Sequence, residues 1–110
     1  MTIGIIGGGV WGSALARILS QNKVLIYARD QDIVRSINDN KLNPKLKYVS
    51  FNDNVSATSS INELRNSNFL FIALPAQKIR EVVSQTELHN KTQNIVICSK
   101  GIEISSLKFL

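Results

Sequence analysis

The chain is 110 residues long, room for one small domain. With 44% hydrophobic and 19% charged residues it is globular, not disordered, and no apolar run approaches the ~20 residues of a membrane span. A net charge of +5 leaves a solvated basic surface or one that attracts a phosphorylated ligand; the sparse aromatics do not alternate with the basic residues, so nucleic acid is not an expected partner. Taken in chain order, the first predicted element is a strand over Thr2 to Ile6, followed by a helix from about Val10 to Gln21 with Trp11, Leu15, Ile18 and Leu19 at helical spacing. Lys23 to Tyr27 is a second strand, apolar throughout its middle as a strand covered on both faces should be. Gln31 to Asn40 is a helix with Ile33, Val34 and Ile37 on one face. A polar loop from Asn43 to Asn54 leads to a short third strand, Val55 to Thr58. Ser59 or Ser60 then caps a brief helix, with Glu63 at the far end of a capping box. Asn68 to Leu74 is the fourth and most apolar strand, ended by Pro75. A helix follows to about Thr86, then a fifth strand, Asn94 to Cys98, and a new helix begins within Ile102 to Leu110.

Short apolar runs alternating with amphipathic ones predict an α/β fold. The expected form is a doubly wound parallel sheet of Rossmann type, with strand order 3-2-1-4-5. Between the first strand and the first helix stands Gly7-Gly8-Gly9-Val10-Trp11-Gly12, a G-x-G-x-x-G fingerprint. The glycines of such a turn serve different ends. Gly7 permits the tight turn, Gly9 lets a pyrophosphate approach without meeting a Cβ, and Gly12 brings helix and strand together. The helix start offers unpaired N–H groups and the positive end of its dipole to the phosphates. The fingerprint points to a dinucleotide, with FAD left open, against a turn that serves packing alone.

The end of the second strand reads Tyr27-Ala28-Arg29-Asp30. An acidic residue there takes a ribose 2′-OH, whereas an arginine suits a 2′-phosphate by charge and forked geometry. Arg29 favours NADP over NAD; Asp30 is the alternative ribose contact, and it is also placed to cap the next helix. Past the fifth strand, Ser99-Lys100-Gly101 puts Lys100 where open α/β sheets bind ligands. It could reach the cofactor or an anionic substrate. Leu74-Pro75-Ala76-Gln77 faces the same crevice, chiefly as a strand stop and helix start. His89 is read as a surface residue. Cys98 is the sole cysteine, so no intrachain disulfide forms, and the N-terminus lacks a secretory n-region; both fit a reducing cytoplasm.

Four separated stretches share one resemblance: Ile5 to Ala16, Tyr27 to Asp30, Leu74 to Gln77, and Cys98-Ser99-Lys100-Gly101-Ile102-Glu103. Together they resemble the N-terminal part of bacterial-type NAD(P)-dependent glycerol-3-phosphate dehydrogenase, across essentially the whole chain. The resemblance implies reduction of dihydroxyacetone phosphate to sn-glycerol 3-phosphate, for phospholipid synthesis. It implies that the backbone around Gly9, Val10 and Trp11 holds the pyrophosphate, with Trp11 packed beside it. Arg29, with or without Asp30, would meet the adenosine ribose or its 2′-phosphate, and Lys100 would touch both cofactor and glycerol phosphate. Val10 stands where the family usually has serine, which removes one hydroxyl contact but keeps the N–H. Asn43 and Tyr48 match the family's Asn-x-x-Tyr element only loosely, and no role is carried to them. The family's longer chains add a helical substrate domain with the proton-handling lysine. Residues 1–110 are therefore expected to be the incomplete, truncated cofactor domain, with no catalytic residue of its own and no bound metal. Such a piece should be inactive alone, marginally stable and prone to self-associate along the fifth strand. The rivals are another two-domain dehydrogenase, such as a ketopantoate reductase, and a dinucleotide-binding module without chemistry.

Overall fold

The computed structural model describes residues 2–7, 9–44, 50–74 and 94–97. Five parallel strands form one sheet: β1 (Thr2–Ile6), β2 (Lys23–Tyr27), β3 (Val55–Thr58), β4 (Phe69–Ile72) and β5 (Asn94–Ile97). Their order is β3-β2-β1-β4-β5, as the sequence pattern requires. Two α-helices, α1 (Val10–Ile18) and α2 (Gln31–Asn40), and a 3₁₀ helix (Ile61–Asn66) complete the described elements.

The apolar strands are explained by where they lie. Ile3, Ile5, Val24 and Ile26 are buried in one cluster with Ala16 of α1 and Ile33 and Ile37 of α2. Ile6, Leu70 and Ile72 belong to a second cluster with Leu64 of the 3₁₀ helix. Both faces of the central strands are thus covered, so β1 has no polar face to alternate with. A buried isoleucine of this kind contributes about 1.5–3 kcal/mol relative to exposure.

Several predicted boundaries move, each for a local reason. Helix α1 stops at Ile18, not Gln21. The Ser20 hydroxyl donates to the Arg17 carbonyl at 2.8 Å and the Asn22 N–H donates to Leu19 at 3.0 Å, so side-chain and turn bonds replace the helical ones. Strand β4 is Phe69–Ile72, shorter than expected, because its ladder runs only opposite Ile3 to Ile6 of β1. Strand β5 is described over Asn94–Ile97, and Cys98, the last residue expected in it, lies outside the described residues. The capping box does not form as expected. Ser60 occupies the N-cap position without a side-chain bond. The hydroxyl of Thr58 lies between the two ends instead: it accepts the Ser60 N–H at 3.0 Å and donates to the Glu63 carboxylate. The expected helices after Pro75 and after Ile102, together with Tyr48 and His89, also lie outside the described residues.

The outer edge of β3 is closed by side chains from α2 and the turn after it. The Asn38 amide donates to the Ala57 carbonyl at 2.9 Å and accepts the Ala57 N–H at 2.8 Å. Lys41, in the left-handed region at φ 56°, donates through Nζ to the Val55 carbonyl at 2.8 Å, and the Val55 N–H donates to Asn52 at 3.2 Å. Ladder groups that would otherwise template another strand are therefore occupied. Replacing Asn38 by Ala and Lys41 by Met together should lower stability by about 1–3 kcal/mol in urea unfolding. It should also shift the chain to larger species in size-exclusion chromatography relative to wild type. An unchanged elution volume would mean that these side chains do not guard the edge.

Candidate functional site

Parallel pairing brings the carboxyl ends of all five strands level. Ile6 lies opposite Tyr27 and Ile72, Tyr27 opposite Thr58, and Ile72 opposite Ile97. The order reverses at β1, whose neighbours β2 and β4 lead to opposite edges. Gly7 and the start of α1 sit at this switch point, where open α/β sheets receive ligands.

The three fingerprint glycines are required for different reasons. Gly7 has φ +132°, and a Cβ on it would collide with the Ala73 carbonyl oxygen at the end of β4. Its N–H donates to the Tyr27 carbonyl at 3.1 Å, which ties the turn to β2. A Cβ on Gly12 would run into the Gly7 carbonyl. That contact fixes how closely the first turn of α1 approaches the strand. Gly9 differs from both. Its φ of −86° and ψ of −166° suit any residue, and a Cβ there would meet no atom within 4 Å. No contact of the described fold calls for glycine at this position; it leaves a clear approach to the N-terminus of α1.

That N-terminus is prepared for an anion. Gly9 is the N-cap and supplies no side-chain bond, and the first turn holds no carboxylate. The first intrahelical bond runs from the Ser13 N–H to the Gly9 carbonyl at 3.0 Å. The N–H groups of Val10, Trp11 and Gly12 precede it and point toward the open end, at the positive pole of the helix. The side chains of Val10 and Trp11 are 51% and 59% exposed, so Trp11 does not serve the core. The residues present therefore suit a pyrophosphate: free backbone donors, a favourable dipole and an approach that a side chain on Gly9 would fill.

Above β2, Arg29 is exposed and forms no ion pair among the described residues, where Asp32 pairs with Arg35 at 3.8 Å. Asp30 is exposed and caps α2, its Oδ1 accepting the Asp32 N–H at 2.8 Å. Of the two uses open to Asp30, capping is the one the fold displays, and its second oxygen has no bond among the described residues. Gln31 donates to the Ser59 hydroxyl at 2.9 Å and joins α2 to the end of β3. Gly7, Gly9, Val10, Trp11 and Gly12 thus come together at one turn, with Arg29 and Asp30 at the end of the adjacent strand. Lys100, with Ser99 and Gly101, lies outside the described residues, as do Pro75, Ala76 and Gln77.

Sequence reasoning gave no role to Ser13 and Asn43. Both are fully buried, and the Asn43 amide donates to the Ser13 hydroxyl at 2.6 Å across 30 residues of chain. Asn43-Pro44 reads locally as a turn, and no periodicity links it to α1.

A family model described as the N-terminus of NAD-dependent glycerol-3-phosphate dehydrogenase matches residues 2–110. A glycerol-3-phosphate dehydrogenase [NAD(P)+] from Neorickettsia sennetsu is 39% identical over 107 residues, covering 94% of this chain and 32% of that protein. The crystal structure of glycerol-3-phosphate dehydrogenase from Coxiella burnetii superposes with a TM-score of 0.81 at 24% identity, over 96% of this chain and 34% of that one. A probable 2-dehydropantoate 2-reductase from Bacillus subtilis gives 0.71 at 27% identity, over 92% and 34%. The chain spans about a third of the length of the curated relatives it matches.

The differing demands on the glycines separate in mutants. Gly9→Val should leave the unfolding free energy from urea curves within about 1 kcal/mol of wild type, a change of cap residue only. It should weaken NAD(P)H binding at least about tenfold, the equivalent of 1.4 kcal/mol. Gly12→Ala should instead lose stability by about 1–3 kcal/mol, the usual cost of overpacking. Retained affinity in Gly9→Val would reduce the glycine turn to a packing device.

Proposed function

The chain belongs to the NAD-dependent glycerol-3-phosphate dehydrogenase family, and from that premise we propose that residues 1–110 hold NAD(P)H for reduction of dihydroxyacetone phosphate to sn-glycerol 3-phosphate, a precursor for phospholipid synthesis. The observation that carries the dinucleotide part is Gly9, whose missing side chain leaves open the approach to the α1 donors. The cofactor is NAD or NADP.

When bound, NAD(P)H supplies the hydride, and the protein supplies binding, orientation and electrostatics. The N–H groups of Val10, Trp11 and Gly12 take the pyrophosphate. Trp11 lies beside it, with a face free for contact. Arg29 meets the 2′-phosphate; the uncommitted oxygen of Asp30 is the alternative partner, for a ribose 2′-OH. Lys100 is assigned to cofactor and substrate phosphate, on the Ser-Lys-Gly-Ile-Glu resemblance alone. Proton delivery and the main clamp on the substrate phosphate fall to the helical substrate domain that the resemblance implies. Residues 1–110 by themselves then bind cofactor without turning it over. No helix among the described residues is long and apolar enough to cross a membrane, and a phosphorylated small-molecule substrate suits the net charge of +5.

NADPH should bind about two- to fivefold more tightly than NADH, the range of one exposed charge contact. Arg29→Ala should remove the difference. Raised ionic strength should shrink it, because exposed charges are screened over about 10 Å at 0.1 M salt. Calorimetric titration with both cofactors at two salt concentrations tests this. Equal affinities would assign the ribose to Asp30. In the same preparation, dihydroxyacetone phosphate with saturating NADPH should give no steady loss of absorbance. Turnover above background would put a full active site within residues 1–110.

A further inference from the structure

We propose that Asn43 is a positioning residue for the dinucleotide: it holds the first turn of α1 through Ser13, so that the N–H groups of residues 10–12 stay aimed at the pyrophosphate. The inference rests on the dinucleotide reading above. Helix α1 has nine residues, too few to be stable without tertiary support. Its first turn has no side-chain cap, and its outward residues Val10 and Trp11 are more than half exposed, so apolar packing does not hold that end. On the sheet side the turn is set by Gly12 against the Gly7 carbonyl. The Asn43 amide reaches the same turn from another element, 2.6 Å from the Ser13 hydroxyl. Ser13 in turn bonds through its N–H to the Gly9 carbonyl at 3.0 Å. The strut therefore leads from Asn43 through Ser13 to the glycine that faces the open approach.

The far end of the strut is itself fixed. The Ser36 hydroxyl donates to the Leu42 carbonyl at 2.7 Å, and the Leu42 N–H donates back to Ser36 at 3.4 Å. Leu42 forms an antiparallel bridge with Ser50, and the Phe51 N–H donates to the Lys41 carbonyl at 2.7 Å. Phe51 is buried in the main core cluster. Burying two polar side chains completely is unfavourable unless they are hydrogen-bonded, and an aliphatic pair would serve packing as well. The directional bond adds a defined placement of α1, which a phosphate site requires and a core does not.

The test compares NADPH with adenosine 2′-monophosphate, which shares adenine and 2′-phosphate but lacks the pyrophosphate. Titrations use Asn43→Ala, Ser13→Ala and the double variant, each with a urea curve. A further pair, Ser13→Ala with Asn43→Leu, removes both polar groups together and keeps the fold measurable where a single change does not. NADPH affinity should fall about five- to tenfold in each single variant. The double variant should lose no more than a single one, as for two residues acting through one bond. Affinity for adenosine 2′-monophosphate should stay unchanged. Equal losses for the two ligands, or unchanged NADPH affinity, would overturn the positioning role. Failure of the wild-type chain to bind NADPH would overturn the dinucleotide reading itself, a separate result.

Discussion

A helix can approach a strand end only as closely as the atoms between them allow. Here those atoms are the Gly7 carbonyl and the absent side chain of Gly12. This contact sets the height of α1 above the sheet. It also places the α1 N-terminus at the level where Tyr27 and Ile72 flank Ile6. Gly7 can turn there because it has no side chain, which its positive φ and its closeness to Ala73 both require. The level of the donors that face the open crevice follows from these two glycines, while the free space above Gly9 is left by its own missing side chain.

The rest of the fold supports that placement by burying both faces of the central strands. Aliphatic residues of β1, β2 and β4 divide between two clusters, one under α1 and α2 and one under the 3₁₀ helix. Such a sheet is stiff because each central strand is bonded on both sides and packed above and below. Its β3 edge is finished by Asn38 and Lys41, which occupy backbone groups with side-chain ones. One helix, α2, thus covers the sheet, seals its edge at one end and carries Asp30 at the other, beside Arg29.

Polar residues that look ordinary on a surface acquire definite roles when two elements share them. Thr58 takes over the reciprocal bonding expected of Ser60 and Glu63, because its hydroxyl stands between the Ser60 N–H and the carboxylate. Gln31 reaches Ser59, and Asn52 and Asn54 both donate to the Ser20 carbonyl, at 3.2 and 2.8 Å. These bonds close the connections between helices and strands where the chain has few apolar residues to do so.

Local pattern was enough for much of this. The apolar runs and helical spacing determined β1, β2, β3 and α2 to the residue, the glycine spacing determined the turn, and an aspartate before Gln31 determined the α2 cap. These features depend on neighbours within a turn or two, which is the range that periodicity and capping rules describe. Tertiary structure decided the rest. Ser20 and Asn22 bonds ended α1, the length of β1 limited β4, and Thr58 displaced the capping box. The bonds of Lys41 to Val55, Asn38 to Ala57 and Asn43 to Ser13 cross 14, 19 and 30 residues. No local propensity encodes such pairs: an asparagine favours a turn wherever it stands, and only the packed fold brings a particular acceptor within its reach.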